Sequence, residues 1–472
     1  MLILQQYLSS IRVQALEEVR EIMLQRKALW DLVKWKKESQ GSTALMVEGA
    51  RRVGKSTLVE EFAKNWYGSH ILIDFAFAPP ELIDIFESNA HDINSLLSYL
   101  AVFYGVSPKE RDCLIIFDEV QFYPRARALL KPLVADGRFD YIATGSLISI
   151  KQNTQDILIP SEVEALELNP IDFEEFLLAI DETMLADFLK EIAVTPKQIP
   201  DAIHKKAMRK YREYLLVGGM PQAVVEYQKS KDFHKVDKVK RGILKLYRED
   251  ITRFAKGYEG KVSAIFDELP SQLSKNEKKF TLASLGKDAR TRTHEEAFFW
   301  LSDAKIINPC YNSTDPSVGL GLHKDGSTFK CYMADTGLLV THAFADSSVS
   351  DNNLYKEILL GSLSINEGMI VENAIAQALH SRGHKLYFYS RHDRANRENN
   401  IEIDFLIVQR DKGKSRVSPI EVKSNTRYKT GSLDKFKRKF GTRAGQEIIL
   451  HPGNVSASDN RVRLPLYLAA WL

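Results

Sequence analysis

The strongest constraint on the fold is a short apolar stretch that runs directly into a loop bounded by glycines. Residues 44–48 (ALMVE) have the character of a buried strand, and residues 49–57 (GARRVGKST) follow the pattern G-x-x-x-x-G-K-[ST]. The two glycines let backbone N–H groups approach an anion closely, and the N-terminus of the following helix adds its positive dipole end. The pattern therefore predicts a phosphate-binding loop.

Each residue type in this loop suits contact with a nucleoside triphosphate. Lys55 is expected to lie between the β- and γ-phosphates, and the Ser56 hydroxyl is expected to ligate Mg²⁺. An ordinary strand-to-helix turn with two glycines is the alternative, and the preceding apolar strand favours nucleotide binding over it. The loop residues predicted to bind ATP are Gly49, Arg52, Val53, Gly54, Lys55, Ser56 and Thr57.

A second apolar run ends in two adjacent acids. Residues 113–117 are followed by Asp118 and Glu119, an arrangement that can deliver carboxylates to a nucleotide-bound metal. We expect Asp118 to hold Mg²⁺, directly or through water, and Glu119 to orient and deprotonate the attacking water. Alone, the pair would more simply mark a helix N-terminus. Its position about sixty residues after a phosphate-binding loop favours the catalytic interpretation.

Other strand-like stretches alternate with helical ones and indicate the fold class. The further strand-like stretches of the N-terminal part are residues 71–75, 140–146 and 165–168. The helical stretches between and before them are residues 12–38, 56–66 and 81–103. Such alternation predicts an α/β fold with a parallel, doubly wound sheet.

The stretch 140–146 ends in small polar residues. In a parallel sheet, the ends of neighbouring strands meet at one edge, so Thr144 or Ser146 would lie near the γ-phosphate. Thr144 is therefore predicted to contact the nucleotide. A simple strand-end turn is the alternative.

Composition narrows the class of protein without identifying a partner. The 472 residues are 44% hydrophobic, which is enough for two to four domains with real cores. The three cysteines, Cys113, Cys310 and Cys331, are widely spaced and odd in number, which argues against a disulfide framework and a zinc site. Residues 1–11 lack a positively charged start, and no apolar run is long enough to span a bilayer, so we expect a cytoplasmic protein without a membrane segment.

Positive charge is concentrated at the C-terminal end. Residues 381–472 contain 19 Lys and Arg but 9 Asp and Glu, although the whole chain carries a formal charge of only +3. A basic segment on an otherwise acidic chain is a candidate electrostatic footprint for nucleic acid. A solvated charged surface is the alternative.

The same segment contains acids in apolar strands. Asp404 lies within 401–408, and Pro419 opens a stretch that contains Glu421 and Lys423. Side chains two residues apart on a strand share a face, so Glu421 and Lys423 should point the same way. The arrangement indicates a metal-dependent nuclease site in which Asp404 and Glu421 hold Mg²⁺ and Lys423 positions or activates water.

Glu372 and the spacing of Glu421 and Lys423 also bear on the nuclease interpretation. Glu372, on a helical stretch from 368 to 380, could add a metal contact, but linear spacing does not show that it reaches the other acids. The E-x-K spacing alone is common, since Glu277 and Lys279 have it in a polar stretch. What distinguishes Glu421 is its apolar strand, because burying acids without a cation would be costly.

The middle of the chain, from about residue 181, has a charged, helical pattern. Residues 217–221 (VGGMP) break it abruptly. A helical stretch at 295–304, strands at 306–307 and 328–333, and the sequence DTGLL that begins at Asp335 suggest a small winged-helix unit. Asp335 or Thr336 is most simply a helix N-cap.

Taken in order, these motifs resemble a large, mostly uncharacterised prokaryotic family of AAA+-type ATPases whose C-terminal domain is similar to PD-(D/E)XK nucleases. The matching stretches are residues 49–57, 115–121, 144–146, 169–176, 218–221, 335–339, 372–373, 402–405 and 419–424. The resemblance implies an ATPase domain at 1–180, a helical and winged-helix lid at 181–350, and a nuclease-like domain at 351–472. It also implies that Pro221 lies against the adenine.

One departure from other AAA+ enzymes concerns the arginine that acts in trans. It usually precedes the fifth strand, but between Leu147 and Ala165 the only cation here is Lys151. Loss of an arginine finger forfeits a large rate factor, which favours slow hydrolysis.

Two functional hypotheses follow. The first is an ATP-gated nuclease that acts on nucleic acid, with DNA favoured, and uses Mg²⁺ or alternatively Mn²⁺ at Asp404 and Glu421. The second is a nucleotide-dependent switch whose C-terminal segment binds DNA or a protein partner without cleavage. A transcriptional regulator is a weaker third idea. Homo-oligomers are compatible with all three.

Overall fold

The computed structural model describes residues 24–145, 162–275, 291–344, 358–359, 367–393, 396, 400–411, 413–458 and 460–472. Several sequence predictions fall outside these residues. They are the first half of the helix predicted at 12–38, the γ-phosphate contact of Ser146, the lone cation Lys151, and the second E-x-K pair, Glu277 and Lys279.

The N-terminal part forms a parallel sheet. Within the described residues its strands are β1 (Ala44–Glu48), β2 (Ser69–Asp74), β3 (Cys113–Asp118), β4 (Asp140–Gly145) and β5 (Val163–Glu167). They lie in the order β2-β3-β4-β1-β5, and all neighbouring strands are parallel. The predicted α/β class with a parallel sheet is confirmed.

Helices cover both faces of this sheet, because successive residues of a buried strand point to opposite sides. In β1, Leu45 and Val47 join one hydrophobic core, whereas Ala44 and Met46 join another on the opposite face. The helices on the first face are α1 (Ala28–Ser39) and α2 (Lys55–Trp66). Those on the second face are α3 (Pro80–Asn89), α4 (Ile93–Tyr104) and α5 (Arg125–Asp136).

The structure differs from the sequence prediction at 81–103, where two helices replace the single expected one. Asp92 lies between them in an extended conformation, and its carboxylate accepts a hydrogen bond from the backbone N–H of Ser95 at 3.2 Å. This is an N-cap, which satisfies a helix N–H that has no partner within the helix. The signal was present in the sequence as an Asp placed just before an apolar helical run.

A helical region follows the first sheet. Its helices, within the described residues, are α6 (Phe173–Ala179), α7 (Thr183–Val194), α8 (Asp201–Val217), α9 (Pro221–Ser230), α10 (Phe233–Phe254), α11 (Glu259–Ser274), α12 (Thr291–Asp303) and α13 (Thr336–Ala343). None of the helices in the described part of the chain is long and apolar enough to cross a membrane.

The break between α8 and α9 meets the start of α13 at a junction centred on Asp335. One carboxylate oxygen of Asp335 accepts from the N–H of Gly219 at 2.5 Å, and the other accepts from the N–H of Leu338 at 2.8 Å. Asp335 is therefore the N-cap of α13. Gly218 has φ +80°, and a Cβ there would lie 2.4 Å from Asp335 Oδ1, so this close approach requires glycine.

The C-terminal part forms a second, mixed sheet. Its described strands are β6 (Ile307–Ser313), β7 (Lys324–Met333), β8 (Tyr387–Arg391), β9 (Ile401–Asp411), β10 (Lys414–Val422), β11 (Glu447–His451), β12 (Ser456–Ser458) and β13 (Arg461–Pro465). Their order is β12-β13-β11-β10-β9-β8-β6-β7. Helix α14 (Glu367–Ser381) packs on one face and helix α15 (Gly431–Phe440) on the other.

The two strands expected to form part of a winged-helix unit are arranged differently in the structure. Strands β6 and β7, expected to belong to that small unit, pair with each other and continue the C-terminal sheet, because β6 lies parallel to β8 through Tyr311 and Tyr387. The sheet therefore crosses the expected boundary between residues 350 and 351. Pairing between distant segments, which a local sequence pattern does not report, decides this arrangement.

The helical region and the second sheet share one hydrophobic core. It extends from Ile171, just before α6, through helices α8, α10 and α14 to the 3₁₀-helix Leu466–Trp471. The C-terminal 3₁₀-helix contacts α6, α7, α8 and α14, so the end of the chain packs against the beginning of the helical region. The two regions are therefore held together by apolar packing rather than by a linker.

Candidate functional site

The strand order places the polar ends of β1, β3 and β4 at one edge of the first sheet. The loop 49–54 connects β1 to α2. Gly54 has φ +96°, and a Cβ on Gly49 would lie 2.5 Å from the carbonyl oxygen of Leu168, so both glycines are required by geometry. Val53 is buried, whereas Arg52 and Thr57 are exposed at the surface of the loop and the helix.

Lys55 lies across this loop and is buried. Its ammonium group donates hydrogen bonds to the carbonyl oxygens of Gly49 at 3.1 Å and Ala50 at 3.0 Å. Burial lowers the pKa of Lys55, while the carboxylates of Glu119 and Asp118 act in the opposite direction. The loop thus holds a cation next to two acids at the sheet edge.

Three oxygen-bearing side chains converge beside Lys55. Asp118 Oδ1 accepts hydrogen bonds from the hydroxyl of Ser56 at 2.9 Å and from the hydroxyl of Thr144. A carboxylate and two hydroxyls are the hard oxygen ligands that suit Mg²⁺, which usually keeps several waters and phosphate oxygens as its other ligands. The residues present therefore fit the metal that the phosphate-binding loop implies.

Glu119 follows directly and is held in an unusual backbone conformation. Its φ is +53°, which is uncommon for a residue other than glycine and often marks a functional position. Its N–H lies 3.4 Å from the Thr144 hydroxyl, and its carboxylate accepts a hydrogen bond from the Gln121 side chain. Gln121 was not singled out from the sequence, although it lies in the stretch that carries the family resemblance.

Pro221 and Arg26 flank the far end of the loop. A Cβ placed on Gly54 would be 3.4 Å from Pro221 Cγ and 3.9 Å from Arg26 Nη1, so both side chains lie beside that glycine. The Arg26 guanidinium donates to the carbonyl oxygens of Val53 at 3.2 Å and Asn169 at 2.5 Å. The adenine contact of Pro221 stays a prediction, and Arg26 was missed because it precedes the motif by more than twenty residues.

The C-terminal end of α10 contacts the phosphate-binding loop. The side chains of Arg51 and Asp250 form an ion pair, and the Tyr247 hydroxyl donates to the Arg51 carbonyl oxygen at 3.2 Å. Burial raises the pKa of Asp250 to about 6, even though Arg51 opposes the shift. The helical region is thus connected to the loop through a carboxyl group that titrates near neutral pH.

Asp250→Asn is expected to stabilise the nucleotide-free protein at neutral pH. The pKa of Asp250 is higher in the folded protein than its ordinary value of 3.8, so this group favours folding most below pH 4 and loses that contribution as the pH rises through about 6. Asparagine resembles the protonated form, so the gain should be absent near pH 4 and reach about 1 kcal/mol at pH 7.5, after allowance for solvent screening. Thermal unfolding across this pH range measures it.

Glu249→Gln provides the matched control for that measurement. Glu249 neighbours Asp250 on α10, but its side chain is 55% exposed and its Lys245 partner is 4.0 Å away. The control should leave the pH profile of stability unchanged. Equal gains from Asp250→Asn at pH 4 and pH 7.5 would contradict the assigned titration.

In the C-terminal sheet, the predicted metal ligands are divided between two groups. Glu372, on α14, accepts hydrogen bonds from Lys330 at 3.3 Å and from the Tyr332 hydroxyl. Asp404 Oδ1 lies 3.9 Å from the same Lys330 ammonium, and its Oδ2 accepts from the Val422 N–H at 2.8 Å. Burial disfavours the charge on Lys330, but Glu372 and Asp404 outweigh it and raise the pKa of this lysine.

Glu421 and Lys423 form the second group. Their side chains pair at 2.8 Å, as their spacing on one strand predicts. Burial raises the pKa of Glu421, and Lys423 opposes the shift. Ile420 and Val422 pack in the core beneath α14, so Glu421 points to the opposite face, where Asp434 of α15 also acts on its charge.

A β-bulge explains part of this division. Tyr387 pairs with Leu406 and Tyr389 pairs with Ile403, so one residue of β8 faces both Asp404 and Phe405 of β9. Such bulges re-aim side chains, and here Asp404 turns towards Lys330. Among the described residues, no group of three or more His, Cys, Asp or Glu side chains is arranged to hold a metal ion. The structure thus does not bring Glu372, Asp404 and Glu421 together as the expected metal site.

The parallel sheet, the glycine-bounded loop and the acids after β3 have the arrangement of a P-loop ATPase core. Three family models match separate parts of the chain. Residues 41–177 match the family described as AAA domain. Residues 208–349 match a domain of unknown function, DUF8612, and residues 367–469 match another, DUF4143. The resemblance of the C-terminal part to PD-(D/E)XK nucleases therefore stays a prediction.

Solved structures give distant similarities. A Walker-type ATPase of Pyrococcus abyssi is 15% identical over 68% of this chain and 97% of its own, with a TM-score of 0.42. A chain of the Drosophila ORC bound to DNA is 15% identical over 71% of this chain and 98% of its own, with a TM-score of 0.29. A search of curated protein sequences gives no match.

Proposed function

We propose that the protein binds ATP with Mg²⁺ and hydrolyses the ATP slowly. The observation that carries this proposal is the convergence of the Ser56 and Thr144 hydroxyls on Asp118, next to the buried ammonium of Lys55. The match of residues 41–177 to AAA domains supports it.

The side chains have separate roles in this proposal. Ser56 and Asp118 would hold Mg²⁺, which compensates phosphate charge when bound. Lys55 would exchange its hydrogen bonds to the loop carbonyls for phosphate oxygens, and the loop N–H groups would contact the same anion. Glu119 would accept a proton from the attacking water, with its carboxylate oriented by Gln121.

Slow turnover follows from the sequence between the fourth and fifth strands, where Lys151 is the only cation. An arginine supplied to the transferring phosphate contributes roughly 10³–10⁵ in rate. An oligomer in which another segment supplies such an arginine would hydrolyse ATP faster. ATP binding and turnover by the wild type, Lys55→Ala and Glu119→Gln test the proposal.

For the C-terminal part, we propose nucleic-acid binding, with duplex DNA as the favoured ligand. Residues 422–446 contain eight Lys and Arg and a single acid, Asp434. Asp434 forms an ion pair with Arg461 at 2.7 Å, which reduces its effect on the surface charge. Lys429 and Lys437 are exposed on this segment, as phosphate contacts require.

Cleavage by this part stays a prediction, and the geometry favours binding without cleavage. A metal-dependent nuclease site needs its carboxylates around a shared ion. Here Glu421 pairs with Lys423, whereas Asp404 is held by Lys330 and the Val422 N–H. The second hypothesis, a nucleotide-dependent switch, is therefore the one we propose.

Replacing two exposed lysines by glutamate, Lys429→Glu with Lys437→Glu, is expected to weaken duplex DNA binding at least about tenfold. Loss of about two phosphate contacts should also reduce the slope of log affinity against log salt by about 2. Fluorescence anisotropy with one labelled duplex at several salt concentrations measures both quantities.

The paired change Lys235→Glu with Lys238→Glu is the control. Both lysines are exposed on α10, and the alteration of total charge is identical. Equal weakening by the two double variants would show that net charge, rather than this segment, determines binding. Undetectable binding by the wild type at low salt would contradict the proposal itself.

A further inference from the structure

A buried lysine lies among the carboxylates predicted to ligate a metal. The Lys330 side chain is 2% exposed, and its Nζ is 3.3 Å from Glu372 Oε1. The same Nζ is 3.9 Å from Asp404 Oδ1 and 3.9 Å from Glu402 Oε1. One carboxylate from α14 and two from β9 therefore surround a cation that is covalently part of the protein.

The charges explain why this lysine can be buried. An unpaired ammonium in the interior would be expensive, as would clustered carboxylates without a cation. Tyr332, two residues further along β7, points the same way and donates its hydroxyl to Glu372. Lys330 and Tyr332 together supply positive charge and a hydrogen bond to the acid on α14.

A divalent cation at this place would meet the ammonium group. Mg²⁺ and Mn²⁺ require carboxylate oxygens at about 2.0–2.2 Å, so they would occupy the space between the same oxygens that Lys330 contacts. Repulsion between like charges a few ångströms apart is strong where solvent is excluded. The residues present do not fit the metal that the nuclease resemblance implies.

We propose that Lys330 is the permanent cation of this acidic group and takes the place of a divalent metal. The Glu372–Asp404 group is then a structural ion cluster that joins β7 to α14 and β9. This inference goes beyond the proposed function, which concerns ATP and nucleic-acid binding at other residues.

The first test is Mn²⁺ binding by nucleotide-free protein, measured by electron paramagnetic resonance and titration calorimetry. Wild type and Glu372→Gln should bind the same number of Mn²⁺ ions, because Glu372 holds none. A Mn²⁺ ion bound by the wild type and lost in Glu372→Gln would overturn the proposal. This comparison depends on neither ATPase activity nor DNA binding.

The second test is a double-mutant cycle of thermal stability. Lys330→Met removes the charge and leaves a slightly shorter, unbranched side chain, so it should lower Tm by about 8 °C or more by leaving carboxylates uncompensated. Adding Glu372→Gln should restore much of that loss, because the two groups are coupled. Strictly additive effects would contradict the assigned role.

Metal addition completes the cycle. Mn²⁺ should raise the Tm of Lys330→Met by more than that of the wild type or the double variant, since the position left by the ammonium group then accepts a cation. Equal stabilisation of wild type and Lys330→Met would overturn the proposal. If Lys330→Met does not fold, the binding comparison with Glu372→Gln still decides the matter.

Discussion

Glu119→Gln is expected to lower the rate of ATP hydrolysis by at least about 100-fold and to leave ATP affinity nearly unchanged. Glutamine keeps the size and hydrogen-bonding ability of the side chain but cannot accept the proton of the attacking water. The backbone strain at φ +53° and the contact with Gln121 position this group specifically. Single-turnover hydrolysis and equilibrium binding of a fluorescent ATP analogue measure the two quantities separately.

Lys55→Ala and Glu60→Gln serve as the comparison and the neutral control for that result. Lys55→Ala should weaken ATP binding itself, because it removes the buried ammonium that we propose contacts the phosphates. Glu60, on the outer face of α2 with Lys64 as its 2.9 Å partner, should be replaceable without effect on either quantity. Normal turnover by Glu119→Gln would remove Glu119 from the mechanism and leave the nucleotide-binding proposal to be judged from Lys55→Ala.

Gly219→Ala is expected to destabilise the protein by about 2–4 kcal/mol. A Cβ at this position would lie 2.1 Å from the carbonyl oxygen of Ile171, a backbone atom that cannot rotate away. The Gly219 N–H also binds Asp335, and its carbonyl oxygen accepts from the Ile171 N–H at 2.8 Å. Displacement there would move Pro221, so ATP affinity should fall together with stability.

Gly242→Ala is the matched control for this substitution. Gly242 lies within α10, and a Cβ there would have no neighbour within 4 Å. Alanine should therefore be neutral or stabilise the protein by up to about 1 kcal/mol through its higher helix propensity. Urea denaturation compares the two variants, and similar unfolding midpoints for both would contradict the steric argument.

The first sheet was well predicted from the sequence because its signals are local. Asp118 and Thr144 lie at the polar ends of apolar runs of strand length. Their positions at strand ends can therefore be predicted without knowing which strands pair. Asp92 is an equally local signal that the prediction of one helix at 81–103 overlooked. The roles assigned to these site residues remain predictions that the proposed variants test.

The arrangement of the C-terminal sheet could not be predicted from local sequence patterns. The position of β6 beside β8 and the bulge that turns Asp404 are consequences of pairing between distant segments. The sequence does mark Lys330, which is the single charged residue in the apolar run Phe329–Met333. Because a buried charge requires a partner, this pattern predicts an ion pair. Nothing in that run, however, identifies Glu372 as the partner.

The shared core also bears on how such a chain could have been assembled. Strands β6 and β7 precede α13 in sequence, yet they lie in the same sheet as strands that begin after residue 386. Replacement of residues 387–472 alone would leave the β6–β7 hairpin without its neighbour β8. It would also uncover apolar side chains of α8 and α14. Recombination could transfer the second sheet intact only together with the helical region, so these two parts would be inherited as one unit.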